Sequence, residues 1–234
     1  MVKFNKSISE YDYILSFDLA KHNTGYSLYN LSDKTVILTG MIIGEEKENY
    51  WYGLYEEFEH LLLELSSKFD RKKIFVIKEK LPTQNGRFST ISTLQALAQV
   101  HAILDIACGN CGFEFYDYEG IHSVSVKAYF KELTGIEKPT KEDIANKISF
   151  LCAEYDFSGL PLDITDSLAV TLTLVDRKWN KDITEEIKSI NKDIKKFKSE
   201  KKKQELLNYI DKLNSLKIIK KGGVTEYGKT HHCI

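Results

Sequence analysis

The chain has 234 residues, with 33 Lys and Arg against 34 Asp and Glu, and a formal net charge of −1. Hydrophobic residues make up 42% of the chain and charged residues 29%, which is typical of a soluble globular protein. No apolar run approaches the roughly 20 residues that span a bilayer. The first residues also lack the apolar stretch of a signal peptide, so we expect a cytoplasmic protein without a membrane partner.

The charge is divided unevenly along the chain. From Arg177 onward there are 16 basic and 8 acidic residues, a net charge of +8, which leaves 17 basic and 26 acidic residues and a net charge of −9 for the rest. This division favours a body whose acids hold cations and a tail that contacts a polyanion. Of the four cysteines, Cys108 and Cys111 are close together, but no second pair completes a zinc site, so we expect reduced thiols.

The first half of the chain predicts mainly strands. Short polar turns separate the first three, which should form an antiparallel meander. An apolar period of 3.6 residues then indicates an amphipathic helix, followed by a further strand that ends before Pro82. The predicted strands cover residues 11–17, 24–31, 34–43 and 72–81, and the predicted helix covers residues 48–69.

The second half predicts mainly helices. One short strand is expected after the second helix, and three further helices follow it. Thr140, with Asp143 three residues later, is typical of a helix start. The helices are predicted over residues 92–108, 125–135, 140–155 and 163–179, and the strand over 113–119. This order of elements indicates an α/β protein with a mixed sheet, antiparallel at its start and parallel in its crossovers.

The tail after Trp179 has a different pattern. Apolar residues spaced by 4, 3, 4 and 3 form a two-heptad seam, and helical spacing resumes after a lysine-rich break. The pattern predicts one long helix or a helical hairpin. It is compatible with DNA binding, with packing on the body or with pairing to a second copy. The apolar positions are Ile183, Ile187, Ile190, Ile194, Phe197, Leu206, Leu207, Ile210, Leu213 and Leu216.

Four acids stand in apolar settings. Asp18 ends the first strand, Glu79 lies in the fourth, and Asp163 and Asp166 open the last helix of the body on one face. Taken singly, each fits an ordinary role as a turn former, a helix cap or a solvent-facing residue. Taken together, they fit the carboxylate set that holds two divalent ions for phosphodiester hydrolysis.

Four segments of the chain carry a resemblance to a known family: "FDLAKHNTGYSL", "SVKAYFKELTG", "PTKEDI" and "DITDSLAV". With these segments the sequence resembles the RuvC-type Holliday junction resolvases of the ribonuclease-H-like superfamily, and the likeness spans about residues 12–178. The helical extension and the lysine content are more similar to phage and viral members, so the host would be a bacterial or virus-infected cell.

The resemblance implies a fold and a function. The fold would be a ribonuclease-H-like mixed five-stranded sheet flanked by helices, with a nuclease domain over 1–179 and a basic helical extension over 180–234. The activity would be metal-dependent cleavage of four-way or branched DNA by a homodimer, with Mg²⁺ or Mn²⁺. The implied metal ligands are Asp18, Glu79, Asp163 and Asp166, and Lys127 and Lys141 would be catalytic as well.

The fourth strand departs from the bacterial pattern. An ungapped comparison puts Lys78 in the acidic position, which would leave a catalytically impaired protein that still binds branched DNA. We prefer Glu79, because "EKLP" resembles the motif of the viral members. Strand alternation also puts Glu79 on one face with Phe75 and Ile77, and Lys78 on the other. A ribonuclease H activity on RNA–DNA hybrids and a coiled-coil assembly module with an inert body remain alternatives.

The loop after the fourth strand is a candidate DNA contact. It carries Asn85, Arg87 and Phe88 beside a flexible glycine. A cation and an exposed aromatic ring can hold a phosphate and stack on an unpaired base. The alternative is a polar loop whose Phe88 folds into the core.

Overall fold

The computed structural model describes residues 10–44, 49–82, 90–116, 120–196 and 199–216, with residues 220–221 and 224–225. Its centre is a five-stranded sheet in the order β3-β2-β1-β4-β5. β1, β2 and β3 form the predicted antiparallel meander, while β4 and β5 run parallel to β1. The strands are β1 (Tyr13–Asp18), β2 (Asn23–Asn30), β3 (Thr35–Ile43), β4 (Ile74–Lys78) and β5 (Glu114–Phe115).

Helices cover both faces of this sheet, which confirms the predicted α/β class. The α-helices are α1 (Tyr50–Lys68), α2 (Ile91–Cys111), α3 (Ser123–Thr134), α4 (Lys141–Leu151), α5 (Leu162–Thr173), α6 (Asn180–Ile194) and α7 (Glu200–Leu216). A 3₁₀ turn over Arg71–Lys73 precedes β4, and a π-helical stretch over Leu174–Trp179 joins α5 to α6. The last described pair of strands is β6 (Lys220–Lys221) with β7 (Val224–Thr225).

Side-chain alternation along the central strands divides the core in two. Leu15 and Phe17 of β1 lie with α1 and α2 in one buried cluster, whereas Ile14 lies with α3, α4 and α5 in the other. The same alternation separates Val76 from Ile77 in β4. The faces will be called the α1–α2 face and the α5 face. Because successive side chains point to opposite faces, Asp18 belongs with Ile14 to the α5 face.

Helix α2 has the length and composition of a membrane-crossing helix. A core helix of a soluble protein passes the same test, so this finding alone is weak support for a membrane span. In the structure α2 packs beside α1 and buries Val100, Leu104 and Ala107 against the sheet. Much of the rest of α2 is exposed, including Ile91 and Ile106.

Helices α6 and α7 form the helical hairpin that was one of the two predicted forms of the tail. The Tyr209 hydroxyl donates a hydrogen bond of 2.7 Å to Glu186 across the pair. Ile183 and Leu213 are fully buried in the same cluster as α3, α4 and α5. The helical path also runs from α5 into α6 without a break. The boundary between a domain over 1–179 and an extension over 180–234 stays a prediction, but the hairpin shares the core of the body.

This shared core predicts unequal effects of two leucine truncations in α7. Leu213→Ala should lower the free energy of unfolding by about 2–5 kcal/mol, since it leaves a cavity in a closed core. Leu207→Ala, in the same helix but with Leu207 43% exposed, should change it by less than about 1 kcal/mol. Urea unfolding followed by circular dichroism measures both. Similar small losses for the two variants would contradict a hairpin that belongs to the core.

Candidate metal centre

Asp18 is held at the end of β1 by the turn that follows it. The Thr24 side chain closes this turn, because its hydroxyl donates to the Ala20 carbonyl oxygen at 3.2 Å and lies 3.3 Å from the Ala20 nitrogen. The chain then returns along β2, and Gly25 becomes the direct neighbour of Asp18 across the antiparallel pair. The Thr-Gly-Tyr segment therefore fixes the carboxylate at this end of the sheet.

Gly25 also lets α5 approach the sheet. A β-carbon added at this position would stand 2.0 Å from the carbonyl oxygen of Asp163, far inside van der Waals contact. Any larger residue would have to push the first turn of α5 away from β2. The absence of a side chain at Gly25 thus places Asp163 and Asp166 next to Asp18.

A buried set of hydroxyl groups fixes α5 further along. Thr171 of α5 donates a hydrogen bond of 2.7 Å to Ser16 of β1, and Ser16 lies 2.6 Å from the Ser27 hydroxyl of β2. All three residues are buried. Since buried polar groups are costly when unpaired, this chain of hydroxyls favours one rotation of α5 about its axis. That rotation directs the acidic face at the start of α5 towards Asp18.

The structure brings Asp18, Asp163 and Asp166 together at the carboxyl end of β1. One carboxylate oxygen from each lies within 4.8 Å of the other two. Asp163 and Asp166 are about one turn apart near the start of α5, as their spacing implies. Three of the four acids singled out in the sequence therefore form one cluster, with its side chains half-buried.

Glu79 joins this cluster through Asp18. It follows β4, forms a parallel bridge with Ile121 and donates its backbone N–H to the Phe17 carbonyl oxygen at 3.2 Å. A side-chain hydrogen bond links it to Asp18. Glu79 is outside the group of three whose oxygens are all within 4.8 Å, but it borders that group on the same face of the sheet.

Lys78 lies on the opposite face. Its ammonium pairs with Asp105 of α2 and stands 4.9 Å from the centre of the Phe115 ring, and its side chain is 3% exposed. Of the two neighbouring residues, Glu79 is therefore the one that faces Asp18. The Lys78–Asp105 pair was not predicted, although a single acid in the apolar segment "AILDIAC" was a signal for it. Burial and the charge of Lys78 lower the pKa of the neighbouring His101 to about 4, so His101 stays neutral.

Burial and mutual repulsion oppose ionisation of the carboxylates in this cluster. Burial, and then the charge and hydrogen bond of Glu79, raise the pKa of Asp18 to about 8. Burial also raises the pKa of Asp166, although Lys141 opposes the shift. Carboxylates this close repel one another and are stable in ionised form when a cation lies between them. The donor set contains oxygen alone, which is the preference of Mg²⁺ and Mn²⁺.

Lys141 supplies a cation from the protein itself. It pairs with Asp166 and lies 3.7 Å from Asp163. Partial burial works against the charged form, but the contacts with Asp166, Asp18 and Asp163 outweigh it, so the pKa of Lys141 is raised. The predicted capping box of Thr140 and Asp143 is confirmed and fixes this end of α4. The charge of Lys127 of α3 also opposes the rise in the pKa of Asp166.

The predicted DNA contacts Asn85, Arg87 and Phe88 lie outside the described residues. Cys108, Cys111 and Cys152 are buried free thiols, as expected for reduced cysteines, and Cys233 is again outside the described part.

Comparison with known proteins gives the class of fold. No family model matches the chain, and no curated protein matches its sequence. Solved structures do match. Thermus thermophilus RuvC in complex with a Holliday junction substrate has a TM-score of 0.52 and 12% identity, covering 69% of this chain and 90% of that one. Another Thermus thermophilus RuvC structure has a TM-score of 0.51 and 13% identity, covering 69% of this chain and 92% of that one. The chain therefore has the RuvC-like, ribonuclease-H-like fold.

The close approach at Gly25 leads to a prediction with a matched control. Gly25→Ala should destabilise the protein by about 1–3 kcal/mol through overpacking and should remove most of any rise in melting temperature caused by Mn²⁺. Gly53→Ala, where an added β-carbon meets nothing within 4 Å, should retain that rise. Thermal unfolding with Mn²⁺ and with EDTA measures both variants. An unchanged Mn²⁺ effect in Gly25→Ala would mean that the position of α5 does not set the site.

Proposed function

We propose that this chain is a metal-dependent endonuclease that cuts four-way or branched DNA by hydrolysis of phosphodiester bonds. The observation that carries the proposal is the convergence of Asp18, Asp163 and Asp166, bordered by Glu79, at the carboxyl end of the central strand. The RuvC-like fold supports the same class, and one of its structural neighbours is a complex with a Holliday junction.

The four acids would hold the metal, with Mg²⁺ as the expected ion and Mn²⁺ as its substitute. When bound, two divalent ions about 3.5–4 Å apart supply an activated water and stabilise the leaving oxygen. The residues fit such a group, because three carboxylate oxygens already lie within 4.8 Å of one another and Glu79 adjoins them through Asp18. A cation would relieve the repulsion among these carboxylates.

Lys141 and Lys127 would bind the substrate on the same face. The Lys141 side chain is 59% exposed even though its ammonium lies among the acids. Its long flexible stem allows the charge to move from Asp166 to a phosphate oxygen once cations occupy the cluster. Lys127, exposed on α3, would add a second positive charge beside the scissile phosphate.

The proposal predicts separate effects on cutting and on binding. Asp18→Asn and Asp166→Asn should each abolish Mg²⁺-dependent cleavage while changing junction affinity by no more than a few-fold, because phosphate contacts by basic side chains supply most of the affinity. Asp33→Asn, an exposed acid in the turn before β3, serves as the control and should cut normally.

End-labelled four-way junctions, plain duplexes and RNA–DNA hybrids should be incubated with each protein in Mg²⁺ and in EDTA. Cleavage of the junction by wild type in Mg²⁺ alone is the expected result. Preferential cleavage of the hybrid would replace the proposal with a ribonuclease H activity, and full activity of Asp166→Asn would remove the acids from the mechanism.

We further propose a homodimer, since two opposed strands of a junction require two active sites. The face of α2 turned away from the sheet is the candidate surface. The helix contains no Lys, Arg or Glu, its Asp105 is paired with Lys78, and its exposed positions include Ile91, Ala98, Ala102 and Ile106. At about 1.5 Å per residue this helix is roughly 30 Å long, and its outward face can form the centre of an interface of standard size.

A charge placed on this face should separate the subunits. Ala102→Glu should shift the protein to monomer, because pairing would bury two unpaired carboxylates. Ala153→Glu, at an exposed position after α4, is the matched control and should leave the dimer intact. Sedimentation velocity over a range of concentrations measures the change. A dimer that survives Ala102→Glu would mean that another surface joins the subunits.

A further inference from the structure

The apolar seam of the hairpin is already used within the chain. Ile183 and Leu213 are buried in the core, and Ile187, Ile190 and Tyr209 pack against the same cluster. The seam therefore has its partner in the body of the protein. What the hairpin leaves for other molecules is its polar surface and the end where α6 turns into α7.

This end, which we call the hairpin tip, comprises the described residues 192–196 and 199–203 and is strongly basic. These residues include six lysines and two acids. Lys192, Lys195 and Lys201 are exposed. The two acids form local pairs, Asp193 with Lys196 at 2.8 Å and Glu200 with Lys203 at 2.6 Å. The tip thus presents a dense positive charge on a protein whose body, before Arg177, is strongly acidic.

The fold also sets how far the tip lies from the candidate metal centre along the helical path. Asp166 is near the start of α5, and the path continues through the π-helical stretch to the end of α6 at Ile194. At about 1.5 Å per residue, this path is roughly 40 Å long. Since successive base pairs of a duplex are about 3.4 Å apart, a path of roughly 40 Å corresponds to about 12 base pairs.

We propose that the hairpin tip is a second DNA-binding surface, which holds the phosphate backbone of a junction arm about 12 base pairs from the cut. This inference rests on the proposed nuclease function. Lysine ammonium groups act as point charges for phosphate and read no sequence, so the tip adds affinity and orientation without base preference. A duplex arm is the partner that matches a positive tip on an otherwise acidic protein, because its phosphates form a dense and regular line of negative charge.

Arm length provides the test. Full-length protein should be titrated in EDTA with two junctions of the same centre, one with arms of about 8 base pairs and one with arms of about 20, since about 12 are needed to reach the tip. The test variant is Lys192→Gln with Lys195→Gln and Lys201→Gln. The control is Lys68→Gln with Lys72→Gln and Lys73→Gln, which removes the same number of positive charges from a group outside the hairpin, near the start of β4.

Wild type and control should bind the long-arm junction more tightly than the short-arm one, and the test variant should show no such difference. The log–log dependence of the long-arm affinity on salt should also flatten by about 0.9 for each phosphate that the variant no longer neutralises. Short-arm cleavage in Mg²⁺ should remain equal in all three proteins. Affinity that is independent of arm length in wild type, or an arm-length effect that survives in the test variant, would overturn the tip proposal alone. Wild type that neither binds nor cuts any junction would overturn the nuclease proposal with it.

Discussion

The contact between β2 and the first turn of α5 at Gly25 is the constraint on which the rest of the site depends. Gly25 is the cross-strand neighbour of Asp18, and the space a β-carbon would fill is taken by the Asp163 carbonyl group. Two acids from opposite ends of the body are therefore brought together by a residue that has no side chain. The hydroxyls of Ser16, Ser27 and Thr171 then lock α5 against the same strands, so that distance and rotation are both fixed.

The sheet also separates charges that would otherwise cancel. Lys78 and Glu79 are adjacent in sequence, yet strand alternation sends the lysine to Asp105 on the α1–α2 face and the glutamate to Asp18 on the α5 face. A buried ion pair gains little stability over apolar residues, because both ions must be desolvated. Here the pair with Asp105 holds Lys78 on the side of the sheet away from the acidic cluster, although Lys78 is next to Glu79 in the sequence. A shift of one residue in β4 would exchange the two and put the lysine at the cluster.

The local sequence is enough to predict the meander, the helices and the acids, because each depends on patterns within one segment. Strand β5 covers Glu114–Phe115 of the predicted residues 113–119, and Tyr116 adds a backbone hydrogen bond to Val76 of β4, while residues 117–119 lie outside the described part. The partner of the tail could not be predicted in this way. A heptad seam specifies that Ile183 and Leu213 need burial, but their contacts in α3, α4 and α5 come from distant segments. The Lys78–Asp105 pair was missed for the same reason, because its two charges lie on different elements, β4 and α2.

Charge distribution connects the core of the protein to its proposed substrate. Burial near Glu79 makes ionisation of Asp18 unfavourable, and the acidic body before Arg177 repels a polyanion as a whole. Such a body can approach DNA when cations neutralise the cluster and lysines supply contacts at its margin, which is the role proposed for Lys141 and Lys127. At more than about 8–10 Å from these lysines, their attraction for DNA is largely screened in physiological salt. The repulsion between DNA and nearby acids of the body is then no longer offset. A positive contact further along a substrate arm would offset this repulsion where the arm passes close to the body. The hairpin, anchored in the core by Ile183 and Leu213, carries the lysines that we propose for this contact.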